Sequence, residues 1–202
     1  MHPDIYAAFD RICLEAGIDG PVLEVGAVPG PEALLCLPAL ATTPLRLGIS
    51  LDGPGRTSGA IILGGDANHM SMFGDATFAM VLCNSVLEHD RRFWLTLAEI
   101  HRVAKPGALV AIGVPGYAEP PPSRRRVAGR ALERAAGPST RLGRRIGSWL
   151  AGTPTLGIHN YPGDYFRFSV QAMTEVLLAG YRQVRVQTIM QPPRIIGWGR
   201  RA

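Results

Sequence analysis

The stretch that most constrains the fold runs from 78 to 117, where two apolar runs flank a polar turn and an amphipathic segment. Residues 78–82 are continuously apolar, as in a strand that is covered on both faces. Within 91–104 the apolar residues recur at helical spacing, and a Lys-Pro-Gly break follows at 105–107. Residues 109–114 form the second apolar run. This order predicts one parallel strand–helix–strand unit.

The rest of the chain alternates in a similar way. The pattern predicts strands at 21–26, 45–51, 60–63, 181–190 and 194–200, and helices at about 4–16, 31–40 and 170–179. Residues 52–59 and 64–76 are rich in Gly, Asp and Asn, which predicts loops. Alternating strands and helices indicate an α/β fold with a mostly parallel sheet and helices on both faces.

The connection at 52–59 does not fit this scheme well. A parallel crossover needs roughly a dozen residues or more, usually including a helix. The sequence DGPGRTSG is too short and too rich in Gly and Pro for that. Either the helix is lost at this point, or the third strand lies elsewhere.

Length and composition indicate a single domain with a substantial core. The chain has 202 residues, 47% of them hydrophobic and 18% charged. It contains no apolar run near the ~20 residues that a membrane span needs. The acidic, periodic N-terminus resembles neither a signal nor a transit peptide. Three cysteines in apolar segments suggest reduced core thiols, so we expect a cytoplasmic protein.

Glycine and polar residues gather where the predicted strands end. The loop 24–30 joins a strand to a predicted helix, whose first N–H groups would face a ligand. Further polar loops follow the other strands at 50–52, 66–68 and 84–85. Open α/β sheets bind ligands at the carboxyl ends of their strands, so these loops are the candidate site.

The sequence motifs of the 78–117 unit resemble those of a known enzyme family. Leu87-Glu88-His89, then Glu99-Ile100-His101-Arg102-Val103, then Lys105-Pro106-Gly107 follow the pattern of class I S-adenosylmethionine (SAM) dependent methyltransferases of the type 11 group. The loop Glu24 to Gly30 is similar to that family's [DE]-x-G-x-G-x-G, with Val28 at the middle glycine. The resemblance implies a Rossmann-like methyltransferase sheet with an antiparallel last strand.

The resemblance also implies a set of residues that bind SAM and its product S-adenosylhomocysteine (SAH). They are Glu24, Gly26, Ala27, Gly30, Ser50, Asp52, Asp66, Ala67, Asn68, Asn84 and Ser85. Asp52 is equally well explained as a turn residue, and Asp66 is alternatively a residue that caps its own turn. The side chain of Val28 is expected to narrow the pocket.

Two histidines are the catalytic candidates. His89 directly follows the turn after the strand at 78–84, so it is placed to act as a base, or else to brace the following helix. His159 precedes an aromatic segment and is a candidate to face the methyl acceptor. Some relatives carry an acid where this chain has Ser85 and bind a divalent metal, so we expect no metal here.

The aromatic segment from 159 to 168 has a structural interpretation as well. In related methyltransferases a similar segment leads into the next helix. Phe166 and Phe168 are predicted to pack under the sheet, and Ser169 is predicted to cap the helix that follows.

A basic insertion at about 118–160 interrupts the alternation. Between 123 and 150 it holds eight arginines and one acid, Glu133, which gives about +7. Apolar residues stand at helical spacing among the arginines: Leu142, Ile146, Trp149 and Leu150. The segment is interpreted as a lid that packs on the body. As an extension of this interpretation, the lid would bind an anionic lipid or glycan acceptor, or an anionic membrane surface. A nucleic-acid partner has no recognisable module to support it.

Together these features predict a SAM-dependent methyltransferase whose acceptor is a small molecule or is linked to an anionic lipid or glycan. The alternative is a non-catalytic module of the same fold that binds a nucleotide or a partner. Val28 and Ser50 depart from the family pattern and favour that alternative.

Overall fold

The structure is a computed structural model that describes residues 1–17, 19–117, 163–190 and 192–202, together with 127, 128, 131, 134 and 135. Outside residues 118–162 the described chain contains three helices: α1 (Pro3–Ala16), α2 (Phe93–Val103) and α3 (Val170–Ala172), which continues as a wider π turn at Met173–Leu177. The strands are β1 (Val22–Val25), β2 (Arg46–Ser50), β3 (Gly55–Thr57), β4 (Ala60–Gly64), β5 (Phe78–Asn84), β6 (Ala104–Pro115), β7 (Tyr181–Ile189) and β8 (Arg194–Arg201). None of the described helices is long and apolar enough to cross a membrane.

The eight strands form one sheet in the order β3-β4-β2-β1-β5-β6-β8-β7. The central strands β4, β2, β1, β5 and β6 are parallel to their neighbours. The last strand, β8, runs antiparallel to both β6 and β7. The predicted α/β class, with a mostly parallel sheet and an antiparallel last strand, is therefore confirmed.

The short connection between β2 and β4 contains no helix. The antiparallel strand β3 instead brings the chain back to the end of the sheet at which β4 begins. After β2 the chain crosses the end of β4, descends as β3 on its outer side, and turns back into β4. The turn is a two-residue hairpin loop in which Gly59 has φ +74°. The third strand lies where the sequence placed it, and of the two explanations the loss of the helix is correct. The predicted loop at 52–59 contains β3.

Both faces of the sheet are covered, as the continuous apolar run in β5 predicted. On one face, α1 and the segment 34–40 pack against alternate residues such as Met80 and Leu82. On the other face, α2 and the helix that begins at 170 pack against Val81 and Cys83. Adjacent residues of β5 thus enter opposite cores.

The predicted helix at 31–40 is wrong. The segment forms two 3₁₀ turns, Leu34–Cys36 and Pro38–Leu40. Pro38 disfavours helical geometry in the residue before it, and Leu37 is accordingly extended, with φ −55° and ψ 135°. The six residues between Pro31 and Pro38 leave too little chain for a stable helix. The apolar side chains are buried all the same, because the turns present them to the sheet.

The type 11 motif around α2 has a clear structural role. Arg102 donates to Glu99, to Asp75, and to the carbonyl oxygens of Met70 (3.0 Å) and Phe73 (2.9 Å). Glu99 also accepts a hydrogen bond from the Met70 backbone. The Arg102 side chain lowers the pKa of Glu99. This pair therefore clamps the loop that precedes β5 onto the helix that follows it.

The aromatic anchor predicted before α3 is confirmed. Phe166 and Phe168 both meet Phe93 of α2 edge to face, with ring centroids 5.2 and 5.6 Å away. Ser169 Oγ accepts from the backbone N–H of Ala172 at 2.9 Å, as an N-cap does. The helix predicted for 170–179 is shorter, since its second half is the wider turn.

Candidate functional site

The sequence-predicted cofactor loops lie side by side. β4, β2, β1 and β5 are consecutive neighbours in the sheet and parallel, so their carboxyl ends share one edge. Three strand spacings separate the outer two, which is about 14 Å. The loops 24–30, 50–52, 65–68 and 84–85 therefore line one continuous edge of the sheet, where ligands bind in open α/β folds.

The loop after β1 is held by local packing. Gly26 has φ +77°, and a Cβ at this position would collide with Cγ2 of Val86. The N–H groups of Gly26 and Ala27 donate to the carbonyl oxygen of Ile49, at 2.8 and 3.1 Å. A glycine is thus required at 26 by the fold itself. The expected helix N-terminus does not follow this loop, since residues 31–40 form 3₁₀ turns.

Glu24 lies beneath this loop. Its side chain is almost fully buried, and its Oε2 accepts from the backbone N–H of Leu35 at 3.0 Å. Burial raises the pKa of Glu24 to about 7, and backbone hydrogen bonds from Leu35 and Leu34 oppose that shift. The carboxyl group therefore braces the first 3₁₀ turn against β1.

The open side of the loop lies at Val28 and Gly30. Gly30 has φ +149°, and a Cβ there would meet no atom of the described chain within 4 Å. Its carbonyl oxygen accepts from Thr57 Oγ1 at 2.8 Å, so the β3 hairpin supports the loop. The Val28 side chain is 67% exposed. This end of the loop therefore leaves space for a ligand.

The loop after β2 presents one apolar and one acidic side chain. Leu51 is 79% exposed, and Asp52 is exposed beside it. Ser50 Oγ accepts from the Asp52 backbone N–H at 3.3 Å, and its carbonyl oxygen accepts from Gly53 and Gly65. Leu51 was missed by the sequence reasoning, although a large apolar residue before an Asp-Gly turn was the available signal.

The loop after β4 is tied to the turn after β5. Asp66 is exposed, and its Oδ1 accepts from the Asn68 backbone N–H at 2.8 Å, so it does cap its own turn. Asn68 Nδ2 donates to Asp90 (2.8 Å) and Thr96 (3.2 Å). Ala67 packs against the core. The side chain of Asn68 thus fixes the spacing between the two loops.

The turn after β5 contains an unusual backbone. Ser85 has φ +58°, a left-handed conformation that costs about 1–2 kcal/mol for a residue other than glycine. Its N–H donates to the carbonyl oxygen of Gly113, and its Oγ accepts from Asn84 Nδ2 at 3.2 Å and from Arg194 Nη2. These contacts hold the turn in its strained form.

Buried charges stand behind this turn. Glu88 is fully buried, and its Oε1 lies 3.8 Å from Nη1 of Arg194, which is itself 6% exposed. Burial lowers the pKa of Arg194, and the charge of Glu88 opposes this. Nearby, the carboxylate of Asp164 raises the pKa of Arg167, with which it forms two hydrogen bonds. Arg194 was not found from the sequence, because no motif marks it and its place depends on the register in which β8 pairs with β6.

Of the two candidate catalytic histidines, only His89 lies within the residues that the structure describes. His89 is half-buried in the turn after β5, and its N–H donates to the carbonyl oxygen of Val86 at 2.9 Å. It therefore lies at the same edge as Ser85. His159 lies outside the described residues, as does most of the basic insertion at 118–160.

Comparison with known proteins gives a family-model match over part of the chain, and a fold. The family model described as "Methyltransferase domain" matches residues 51–112. No curated protein matches the chain significantly. The match covers β3, β4, β5, α2 and most of β6, including the Arg102 clamp, and does not include the glycine loop after β1.

Solved methyltransferases share the fold at low identity. A Burkholderia thailandensis 1,6-didemethyltoxoflavin N1-methyltransferase, bound to 1,6-didemethyltoxoflavin and SAH, has a TM-score of 0.64 at 17% identity, over 98% of this chain and 78% of that chain. A SAM-dependent methyltransferase from Archaeoglobus fulgidus has 0.61 at 12% identity, over 98% and 93%. A Haemonchus contortus phosphoethanolamine N-methyltransferase 2, bound to phosphomonomethylethanolamine and SAH, has 0.61 at 10% identity, over 98% of this chain and 52% of that chain. The family model thus matches residues 51–112, and the solved structures show that this chain shares the fold of SAM-dependent methyltransferases.

Proposed function

We propose that the chain binds SAM along the carboxyl edge of β4, β2, β1 and β5, and transfers its methyl group to a small acceptor, releasing SAH. The observation that carries the proposal is the alignment of four ligand-type loops on four neighbouring parallel strands. The methyltransferase-domain match at 51–112 supports it, since that range contains two of the four loops and most of a third.

The residues at this edge fit the chemical groups of SAM. The exposed side chain of Leu51 offers an apolar surface for the adenine ring. The carboxylates of Asp52 and Asp66 are exposed acceptors for the ribose hydroxyls and the adenine amino group. Asn84 Oδ1 is buried and accepts no hydrogen bond from the described residues, so it suits the ammonium group of the methionine part. The open flank of Gly30 leaves room for the backbone to approach the ligand.

The chemistry asked of the protein is mainly positioning. When bound, SAM supplies an electrophilic methyl group, and the acceptor atom must approach it in line with the carbon–sulfur bond. A base is required only for an acceptor that carries a proton at neutral pH. His89 is our candidate for that base, because it follows the β5 turn directly.

The acceptor is proposed to be small and anionic, or linked to an anionic lipid or glycan. The sequence carries about +7 between residues 123 and 150. The last described residue before this segment is Tyr117, which follows β6 at the same edge as the candidate site. The Haemonchus neighbour binds a phosphate-bearing amine, which is consistent with an acceptor of this kind. The proposed location is cytoplasmic, as the three cysteines in apolar segments suggest, with peripheral contact to an anionic membrane through the basic segment.

Calorimetry with SAM and SAH tests the cofactor proposal. The sharpest variant is Leu51→Ala, with Leu14→Ala as its matched control, since both leucines are at least 70% exposed. Covering half of Leu51 with adenine is worth about 1 kcal/mol, so the variant should bind SAH about fivefold more weakly. Leu14→Ala, on α1, should bind SAH like the parent. If the parent shows no binding at millimolar SAH, the proposal is wrong.

Limited trypsin digestion tests the role of the basic insertion. We expect cleavage first at Arg124–Arg126 and Arg141–Arg145, with protection by anionic vesicles that added salt removes. Neutral vesicles should protect much less. Slow cleavage without any vesicle would indicate a lid packed on the body, whereas protection by a soluble phosphosugar alone would exclude the membrane.

A further inference from the structure

A buried arginine at the start of β8 has more hydrogen-bond donors than the described residues use. The side chain of Arg194 is 8% exposed. Its Nη2 donates to Ser85 Oγ, and its Nη1 lies 3.8 Å from Glu88 Oε1. Its Nε is buried and donates to no acceptor in the described chain. The cost of burying this cation is therefore only partly offset.

Ser85 presents a second donor at the same place. Its Oγ accepts from Arg194 Nη2 and from Asn84 Nδ2, which occupies both oxygen lone pairs. The hydroxyl hydrogen remains, and among the described residues it meets no acceptor. Nε and Nη2 form one edge of a guanidinium group, and Nη2 touches Ser85. The two unused donors, Arg194 Nε–H and Ser85 Oγ–H, therefore lie close together.

These donors stand at the functional edge of the sheet. Because β8 is antiparallel to β6, Arg194 pairs with Pro115 at the carboxyl end of β6. Ser85 follows β5, the neighbouring strand. The proposed cofactor loops extend from β5 toward β4, so the pair lies at the methionine end of the cofactor, on the side away from adenine. An acceptor must approach the methyl group at that end.

We propose that Arg194 and Ser85 bind an anionic oxygen of the methyl acceptor, such as a carboxylate or phosphate oxygen. The inference rests on the proposed function and names the acceptor-binding residues of the same site. Glu88 occupies the Nη1 side and holds the guanidinium in place, so the anion meets the edge formed by Nε and Nη2. A planar guanidinium offers paired donors there, which a lysine cannot.

The alternative is that Arg194 only forms a structural ion pair with Glu88. The experiment uses inorganic phosphate as the probe and the SAH-saturated protein as the target. The arginine Nε–H signals are followed by ¹H–¹⁵N NMR, and the Arg194 signal is assigned from its absence in Arg194→Lys. We expect this signal to shift saturably at millimolar phosphate. No saturable shift in the wild-type complex would overturn the proposal without any need for a variant.

Two variants and one control sharpen the measurement. Arg194→Lys keeps the charge beside Glu88 but loses the paired edge, so phosphate affinity should fall about tenfold. Ser85→Ala should weaken phosphate binding as well, since it removes the second donor. Arg185→Lys, at an exposed position on the edge strand β7, should bind phosphate like the parent. Equal phosphate affinity in Arg194→Lys and the parent would overturn the proposal, and Arg194 would then only form a structural ion pair with Glu88.

The presence or absence of SAH separates this proposal from the cofactor proposal. Failure of SAH to bind at all would refute the proposed function, yet the Arg194 signal would still report phosphate binding to the free protein. Competition between phosphate and SAH would instead assign the site to the carboxylate of the cofactor and overturn the acceptor proposal. Binding of both together, with SAH affinity unchanged in Arg194→Lys, is the expected result.

Discussion

Replacing Glu24 with Gln tests whether burial destabilises the charged form of the carboxyl group under the first loop. Burial raises the pKa of this group to about 7 from 4.5. Below pH 4.5 both the folded and the unfolded chain carry the proton, so stability is unaffected. Between pH 4.5 and 7 only the unfolded chain ionises, and the free energy of unfolding falls as the pH rises.

The size of this effect follows from the shift. A difference of 2.5 pH units corresponds to about 3 kcal/mol, lost in full above pH 7. Glutamine is neutral at every pH, and its side-chain oxygen can still accept from Leu35 N–H. Glu24→Gln should therefore be more stable than the parent by about 3 kcal/mol at pH 8, and by less than about 1 kcal/mol at pH 5.

Urea denaturation across this pH range measures the difference directly. Glu15→Gln is the control, because Glu15 is exposed on α1 and its replacement should leave the pH profile of the parent unchanged. A Glu24→Gln variant that is less stable than the parent at pH 8 would refute the reasoning, since the backbone N–H bonds would then stabilise the carboxylate by more than burial destabilises it. SAH titration of the same variant adds a second result: a residue that only braces the 3₁₀ turn should leave the affinity unchanged.

Three further predictions concern the clamp, the pocket and the anchor. Arg102→Met removes donors to Met70 and Phe73 and should lower the free energy of unfolding by about 2–3 kcal/mol, whereas the exposed Arg185→Met should change it little in the same urea experiment. Val28→Gly should tighten SAM binding measured by calorimetry, because it removes an exposed side chain from the open flank of the loop; weaker binding would mean that the valine contacts the ligand. Phe168→Ala should cost about 3–5 kcal/mol in thermal or urea unfolding, because the ring is buried against α2, and a loss below about 1 kcal/mol would contradict the anchor.

The unit from β5 to β6 could be predicted well because its signals are local. An apolar run long enough for one strand, helical spacing over 91–104 and a Pro-Gly break each determine one element without reference to the rest of the chain. Arg102 also belongs to this unit, but its clamp reaches back to Met70 and Phe73. The residue spacing identifies the motif in the sequence. The carbonyl groups to which Arg102 donates can be identified only from the structure.

One miss has a local cause, and two depend on contacts between distant segments. Leucines at 34, 35, 37 and 40 recur as a helix would require, and the apolar pattern outweighed the effect of Pro38 in the prediction. β3 is only three residues long and exists because β4 offers it a free edge. Arg194 reaches the site only because β8 runs antiparallel to β6, a fact that no local pattern around residue 194 contains.

The two halves of the sheet are supported differently, and this bears on how a cofactor would be held. Within residues 19–77 no α-helix connects the strands; 3₁₀ turns and the β3 hairpin replace the usual crossover helices. A helix N-terminus is therefore not available to the loop after β1, and its shape depends on three braces: Glu24 on Leu35, Thr57 on Gly30, and Gly26 on Ile49. Each brace is a hydrogen bond that involves a different segment. Together they hold the loop in place, although no helix dipole points at it. Charge recognition at this edge would then depend on side chains, which is consistent with the buried guanidinium of Arg194 at its far end.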